Sequence, residues 1–392
     1  MALRQTARAG SRYGNLALHS VAHFFIDLYS SALSAFQPFL VQAYGLTLAQ
    51  AGWLGGLLVF SSSTTQPAYG YLSDRYRTRM FTALAPAVAG IFISALGAVS
   101  SYGALAACVL LGGAGIASFH PQGSVRATLG IEENKGRWMA VFISSGTLGL
   151  SLGPAFFTAI LARWGMAQAW WGAVPGVLVT LLLLAFLPEV EKEPAHRERA
   201  KFDWGPLRAV WQPLLILYLL VFIRSVLQIT YTQFLPLYLG RERGYSVENA
   251  SWMLTAYLAA GALGGFVGGN LADRWGERPV ILASMICSVP CLAVFFWGSG
   301  WMAVACLVLG GLTLLFTIPV NVVMAQKLAP AQAGTVSALM MGFAWGMAGM
   351  IFIPAVGWVA DRVTLHAALS ALLVFPLAGA VLTQRLKRYG WQ

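Results

Sequence analysis

The chain repeats itself once. Trp53 and Asp74 recur as Trp252 and Asp273, an offset of 199 residues. Leu111, Gly112, Gly113 and Pro121 recur as Leu309, Gly310, Gly311 and Pro319, an offset of 198. Gly146, Gly149 and Pro154 recur as Gly346, Gly349 and Pro354, an offset of 200. A drift of one or two residues is what short loop insertions leave. Such a duplication restricts the fold to two similar halves, and in a chain apolar along its whole length those halves are helix bundles with a site near the bilayer midplane.

Composition places the bundles in a membrane. Hydrophobic residues make up 58% of the 392 and charged residues 10%, against about 25% charge in a soluble domain. Apolar runs long enough to span recur twelve times, at about 16–42, 49–73, 80–100, 102–128, 136–162, 168–187, 211–239, 248–272, 279–298, 301–326, 333–360 and 365–384. The expected fold is an all-α integral membrane protein, with pseudo-symmetric six-helix bundles at 1–187 and 211–392. A polar linker at 188–210, rich in Glu, Lys, Arg and Pro, joins them. No room is left for a soluble enzyme module.

The net charge of +11 reads as topology rather than as a nucleic-acid partner. Of the 25 Lys and Arg, twenty fall in loops and tails on the side of the N-terminus, and four (Arg163, Arg241, Arg243, Arg362) fall on the other. By the positive-inside rule both termini are cytoplasmic. The first apolar segment lacks a clear small-residue cleavage site, so a retained helix is expected rather than a signal peptide. Cys108, Cys287, Cys291 and Cys306 all fall in spans, where small apolar packing is the expected role.

Two loops carry the same pattern. One reads Gly70-x-x-x-Asp74-Arg75-x-Arg77-x-Arg79; the other reads Gly269-x-x-x-Asp273-Arg274-x-Gly276-x-Arg278. An Asp at a helix end can accept from the positive N-terminus of a neighbouring helix, and nearby Arg residues can grip carboxylates or carbonyls. That would latch one side of the molecule; ordinary anchoring by positive charge is the alternative. The pattern resembles the cytoplasmic loop motif of the major facilitator superfamily. In the fifth span, Gly146, Gly149, Gly153 and Pro154 resemble the glycine-rich motif of that superfamily's drug/proton antiporters, and with Pro354 they read as helix-packing pivots.

Ionisable residues inside the spans point to the site, because they are costly there and kept for function. His19, His23 and Asp27 line one stripe of the first helix at i, i+4, i+8. Arg224 lies near the position matching Asp27 in the second half, with Gln228 and Tyr231 continuing its face. Asp27, His23 and Arg224 are the expected proton-coupling set. His120, Gln122, Arg224, Gln228, Tyr231 and Tyr29 are the expected substrate contacts. A structural Asp27–Arg224 ion pair and a divalent-metal site on the His-x-x-x-His-x-x-x-Asp stripe are the alternatives.

The fourth-span run Phe119-His120-Pro121-Gln122, with His23-x-x-x-Asp27, Leu46-Thr-Leu-Ala-Gln50 and Gln66-Pro67, is similar to the fosmidomycin-resistance family of efflux proteins. Gln122 stands where that family has Glu, so an acidic side chain is absent there. The resemblance implies a proton antiporter of the bacterial inner membrane that exports drugs or metabolites. Its cargo is expected to be anionic or amphipathic, and its activity bears on antibiotic resistance. An organic-anion uptake symporter, a divalent-metal transporter and a non-transporting receptor or scaffold are the other classes. Expected partners are a small-molecule substrate, protons and membrane lipids, without nucleic acid, metal or any cofactor beyond the proton gradient, and the protein is expected to be a monomer.

Overall fold

A computed structural model describes residues 9–76, 78–131, 133–187 and 205–391. The helices follow in order: α1 (Ala9–Ser31), α2 (Leu33–Tyr44), α3 (Leu48–Val59), α4 (Gln66–Tyr76), α5 (Met80–Ser94), α6 (Tyr102–Ala127), α7 (Lys135–Trp164) and α8 (Ala173–Phe186). After them come α9 (Gly205–Ala209), α10 (Trp211–Arg243), α11 (Val247–Trp275), α12 (Glu277–Trp297), α13 (Gly300–Leu314), α14 (Thr317–Leu328), α15 (Ala333–Ala338), α16 (Ala344–Ala360), α17 (Leu365–Ala371) and α18 (Val374–Gln384). No strand occurs among the described residues. The linker expected at 188–210 lies outside the described residues over 188–204.

Eleven helical stretches among the described residues are long and apolar enough to cross a membrane. The second expected span falls short of that measure for a local reason. It is broken into α3, a π-helical turn at Phe60–Thr64 made of Phe-Ser-Ser-Ser-Thr, and the more polar α4. A second π-helical turn, Leu339–Phe343, interrupts the eleventh span between α15 and α16. Such turns widen the helix by one residue and recur at functional sites.

Helix ends follow sequence rules. Thr47 and Gln50 form a capping box at the start of α3: Thr47 Oγ1 accepts from Gln50 N at 3.1 Å, and Gln50 Oε1 accepts from Thr47 N at 3.0 Å. Ser101, Ser246 and Thr364 cap α6, α11 and α17 in the same way with one bond each. Gly276 closes α11 at φ +86°, a conformation that any side chain would strain. Its counterpart Arg77 lies outside the described residues.

The chain packs as two compact units, Met1–Leu33 with Thr65–Lys192 and Ser34–Thr64 with Glu193–Gln392. These differ from the expected halves in one segment, Ser34–Thr64, and the reason is a glycine seam. Added Cβ atoms at Gly52 and Gly56 of α3 would strike Ile353 and Pro354 of α16, and one at Gly349 of α16 would strike Val59 of α3. Backbones bare of side chains approach closely and hold by dispersion, as small residues do in membrane helices.

In the first unit the same glycine motif packs α7 on α1. A Cβ at Gly149 or Gly153 would collide with the α1 backbone at Phe24 or Leu28, and Ser31 Oγ donates to Leu150 O at 2.8 Å. The fully buried Tyr29 donates to Gly172 O and accepts from Gly176 N, both at 2.9 Å, tying α1 to α8. In the second unit Tyr231 occupies the matching role on α10, donating to Leu369 O of α17 at 3.2 Å.

Candidate functional site

In the first unit, α1 and α6 bring His23, Asp27 and His120 together. His23 Nε2 lies 3.2 Å from Asp27 Oδ2, and His120 Nε2 lies 3.4 Å from Asp27 Oδ1. Each carboxylate oxygen therefore meets one imidazole. His23 Nδ1 sits 2.8 Å from the Phe142 carbonyl on α7. A carbonyl only accepts, so Nδ1 carries hydrogen and Nε2 is the nitrogen turned to the carboxyl. An Nε2 lone pair facing a bare carboxylate would repel it. The His23–Asp27 contact therefore holds a proton on one side or the other.

The pocket around that proton is apolar and tight. Phe142 stacks on the His23 ring at 4.2 Å between centroids, Phe119 flanks it at 5.8 Å, and His120 meets it edge-on at 5.4 Å. Gly146 of α7 forms one wall: a Cβ there would lie 2.5 Å from Asp27 Oδ2 and 2.5 Å from His23 Nε2. By distance the three residues could hold a metal ion, since one ligand atom from each lies within 4.8 Å of the others.

Other expected first-unit residues lie elsewhere. His19 is fully buried, with Nδ1 2.8 Å from Asn15 O in its own helix. Gln122 Oε1 accepts from Thr82 Oγ1 at 3.0 Å, which ties α6 to α5. Of the expected substrate contacts, Tyr29 and Tyr231 have their hydroxyls hydrogen-bonded to backbone groups of neighbouring helices. Buried hydroxyls seek partners, and the nearest were main-chain groups of adjoining helices.

The second unit holds the other buried charge. Arg224 on α10 is 5% exposed and donates through NH1 to Gln228 Oε1 at 2.5 Å, with its guanidinium 5.6 Å from the Trp345 ring centre. Among the described residues of that unit no carboxylate pairs with it, and its Nε has no hydrogen-bond partner. Tyr257 on α11 lies within electrostatic reach of Arg224 and 6.3 Å from the Tyr231 ring. The Tyr257 hydroxyl and both side-chain polar atoms of Asn321, on α14, are buried without partners. Helices α10, α11 and α14 all pack on one another. Sequence reasoning passed over Tyr257 and Asn321, since a neutral polar residue in an apolar run carries little signal.

In the loop motifs the described contacts belong to the Arg residues. Arg79 donates to Leu187 O beyond the end of α8, and Arg278 donates to Gln384 Oε1 at the end of α18. Both therefore fasten a helix start to a helix end within one unit. Arg75 donates to Tyr71 OH at 3.2 Å in its own helix, and Gly70 lies against Pro121. Asp273 and Arg274 are exposed, and Asp273 makes no helix cap among the described residues. The Asp74 side chain lies outside them.

Known proteins agree with this architecture. A profile of the Major Facilitator Superfamily matches residues 20–353, and again 217–388. The chain belongs to the Major Facilitator Superfamily. It is 28% identical to the fosmidomycin resistance protein of Escherichia coli (strain K12) over 390 residues, covering 96% of this chain and 94% of that one. It is also 29% identical to an uncharacterized MFS-type transporter of Bacillus subtilis (strain 168), over 94% and 91% of the two chains. A solved bacterial homolog of the human lysosomal transporter Spinster, in an inward-facing and unoccupied conformation, superposes with a TM-score of 0.85 at 15% identity. That match covers 97% of this chain and 98% of the other. This superfamily member is a multi-pass membrane transporter of small molecules, and not an enzyme.

Proposed function

We propose that the chain is a proton-coupled exporter of small anionic or amphipathic molecules, working by alternating access in the bacterial inner membrane with both termini in the cytoplasm. The observation that carries this reading is the His23–Asp27–His120 cluster, in which a half-buried carboxyl and a fixed imidazole hold one proton between them. Losing that proton leaves a half-buried carboxylate facing the bare Nε2 of His23, which is costly. Proton occupancy thus has a large lever on which conformation is favoured.

Arg224 supplies the complementary half of the reading. Its partners within its unit are neutral, so a carboxylate or phosphonate on the cargo can take two parallel hydrogen bonds from the guanidinium. Gln228 and Tyr257 have polar atoms to fill the remaining positions. The proton gradient supplies the energy, and no other cofactor is called for.

The test is the purified protein in liposomes with an imposed pH gradient, and fosmidomycin as the first probe. Gradient-driven movement of the probe, reversed when the gradient is reversed, is the expected result. Probe flux indifferent to the gradient would remove proton coupling; probe movement in the same direction as protons would make the protein a symporter.

A further inference from the structure

A third copy of the loop signature lies where neither of the first two does. Gly357-Trp-Val-Ala-Asp361-Arg362 repeats the Gly-x-x-x-Asp-Arg spacing of Gly70–Arg75 and Gly269–Arg274. It ends the eleventh span, so by counting crossings it faces the side opposite both loops. Here the carboxylate does cap a neighbouring helix. Asp361 Oδ1 accepts from Leu48 N at 2.7 Å, and Oδ2 accepts from Ala49 N at 2.8 Å. These are the first two amides of α3, whose next amide, on Gln50, is already taken by Thr47.

Each residue of the signature has a physical part in this. Gly357 and Asp361 are one turn apart on the same helix face. A Cβ at Gly357 would collide with Leu48 O, so its absence lets the first turn of α3 come within reach of the carboxylate. Arg362 turns away, donating to Trp358 O at 2.8 Å and lying 3.5 Å above the Trp358 ring. The carboxylate is therefore left to face the positive end of α3. Behind this clamp runs the glycine seam of α3 and α16. At the far end of the seam the two π-helical turns meet, with Gly342 facing Ser63.

We propose that Asp361 is a releasable latch joining the outward ends of α3 and α16, and that its release is a step in opening that end. The proposal rests on the alternating-access reading above, in which the outward ends of helices must close and part in each cycle. Two charge-assisted hydrogen bonds to exposed helix amides suit such a role. They are directional when made, and water satisfies the same groups when they break.

The test reads distance rather than flux. Cys108, Cys287, Cys291 and Cys306 are replaced, spin labels are placed at Trp53→Cys and Val363→Cys, and double electron–electron resonance is recorded on the full chain in lipid nanodiscs. Asp361→Ala is expected to raise the ratio of long to short distances by about fivefold or more, the lower end of conformational couplings of this kind. Asp361→Asn keeps the shape but loses the charge, and should fall between the two; it carries the test if the alanine variant does not fold. Glu242→Gln is the control. Glu242 caps α17 through Leu365 N at 2.6 Å and His366 N at 2.8 Å, and should leave the Trp53–Val363 distances alone.

An unchanged distribution in the folded Asp361 variants, or an equal shift in Glu242→Gln, would overturn the latch. Because the readout needs neither cargo nor gradient, it stands or falls apart from proton coupling. Loss of gradient-driven flux in the wild type would sink the coupling and leave the latch intact.

Discussion

The two units carry polar centres of opposite character. In the first, an acid is met by two imidazoles, one per oxygen, with Gly146 closing the wall against them. In the second, a guanidinium has neutral company, and neither its Nε nor the nearby buried Tyr257 hydroxyl has a hydrogen-bond partner among the described residues. On the reading proposed above, the matched centre keeps a proton and the unmatched one receives the cargo. Buried polar atoms are nearly always satisfied in folded proteins, so the deficit around Arg224 marks where water or a ligand belongs.

Removing the acid tests the comparison most severely. Asp27→Asn cannot hold or release the proton, so gradient-driven accumulation should vanish while probe binding at constant pH persists. Liposome flux and equilibrium binding on the same preparation check this. Wild-type accumulation by the variant would strip the first centre of its role.

Next in size is Arg224→Lys. An ammonium keeps the charge but cannot make two parallel bonds to one oxyanion. Affinity for an anionic probe should fall about tenfold or more, from the loss of one charged hydrogen bond worth about 1.5–3 kcal/mol. Affinity for a neutral amphiphile should barely move. Isothermal titration with both probes decides it, and equal losses would mean that Arg224 supports the fold rather than the cargo.

Gly146→Ala perturbs the matched centre without touching its chemistry. The new methyl has nowhere to go except against Asp27 Oδ2 and His23 Nε2, so the pair must separate. The pH at half-maximal flux should shift, with a loss of stability of about 1–3 kcal/mol as for other overpacked sites. Gly149→Ala, which presses on the Phe24 backbone instead, should destabilise without moving the pH profile. Identical pH profiles in the two variants would deny Gly146 any special place.

The smallest expected effect belongs to Tyr257→Phe. If the hydroxyl waits for the cargo, its removal costs one neutral hydrogen bond, about 0.5–1.5 kcal/mol, or roughly two- to tenfold in anion affinity. If the hydroxyl is idle, removal relieves a buried unsatisfied group and raises thermal stability at unchanged affinity.

How much of this was legible beforehand depends on charge. Asp27, His23, His120 and Arg224 stand out of apolar runs because ionisable residues are rare there, and the repeat offset announced paired spans. The facing of neutral side chains was not legible. Tyr29 and Tyr231 read as cavity aromatics, yet which way a ring points in a helix buried on most sides depends on its neighbours, and both hydroxyls found main-chain partners. Gln122 read as a contact for cargo, and nothing in the sequence signalled that its Oε1 accepts from Thr82. The packing of Ser34–Thr64 with the second half was hidden for a similar reason: a repeat says which segments correspond, not which helices touch.

The hydrogen bond from His23 Nδ1 to the Phe142 carbonyl decides what kind of proton traffic the ring can bear. A histidine serving as a stepping stone in a proton wire takes hydrogen on one nitrogen and passes it from the other. Here one nitrogen is moored to a main-chain oxygen that cannot become a base at ordinary pH. Hydrogen therefore boards and leaves His23 by the same door, Nε2, on the side of Asp27. A ring of that kind is a turnstile. Under the proton coupling proposed above, it would not short-circuit the membrane potential by conducting through itself, and it would deliver its passenger to the far side only when the surrounding helices had moved.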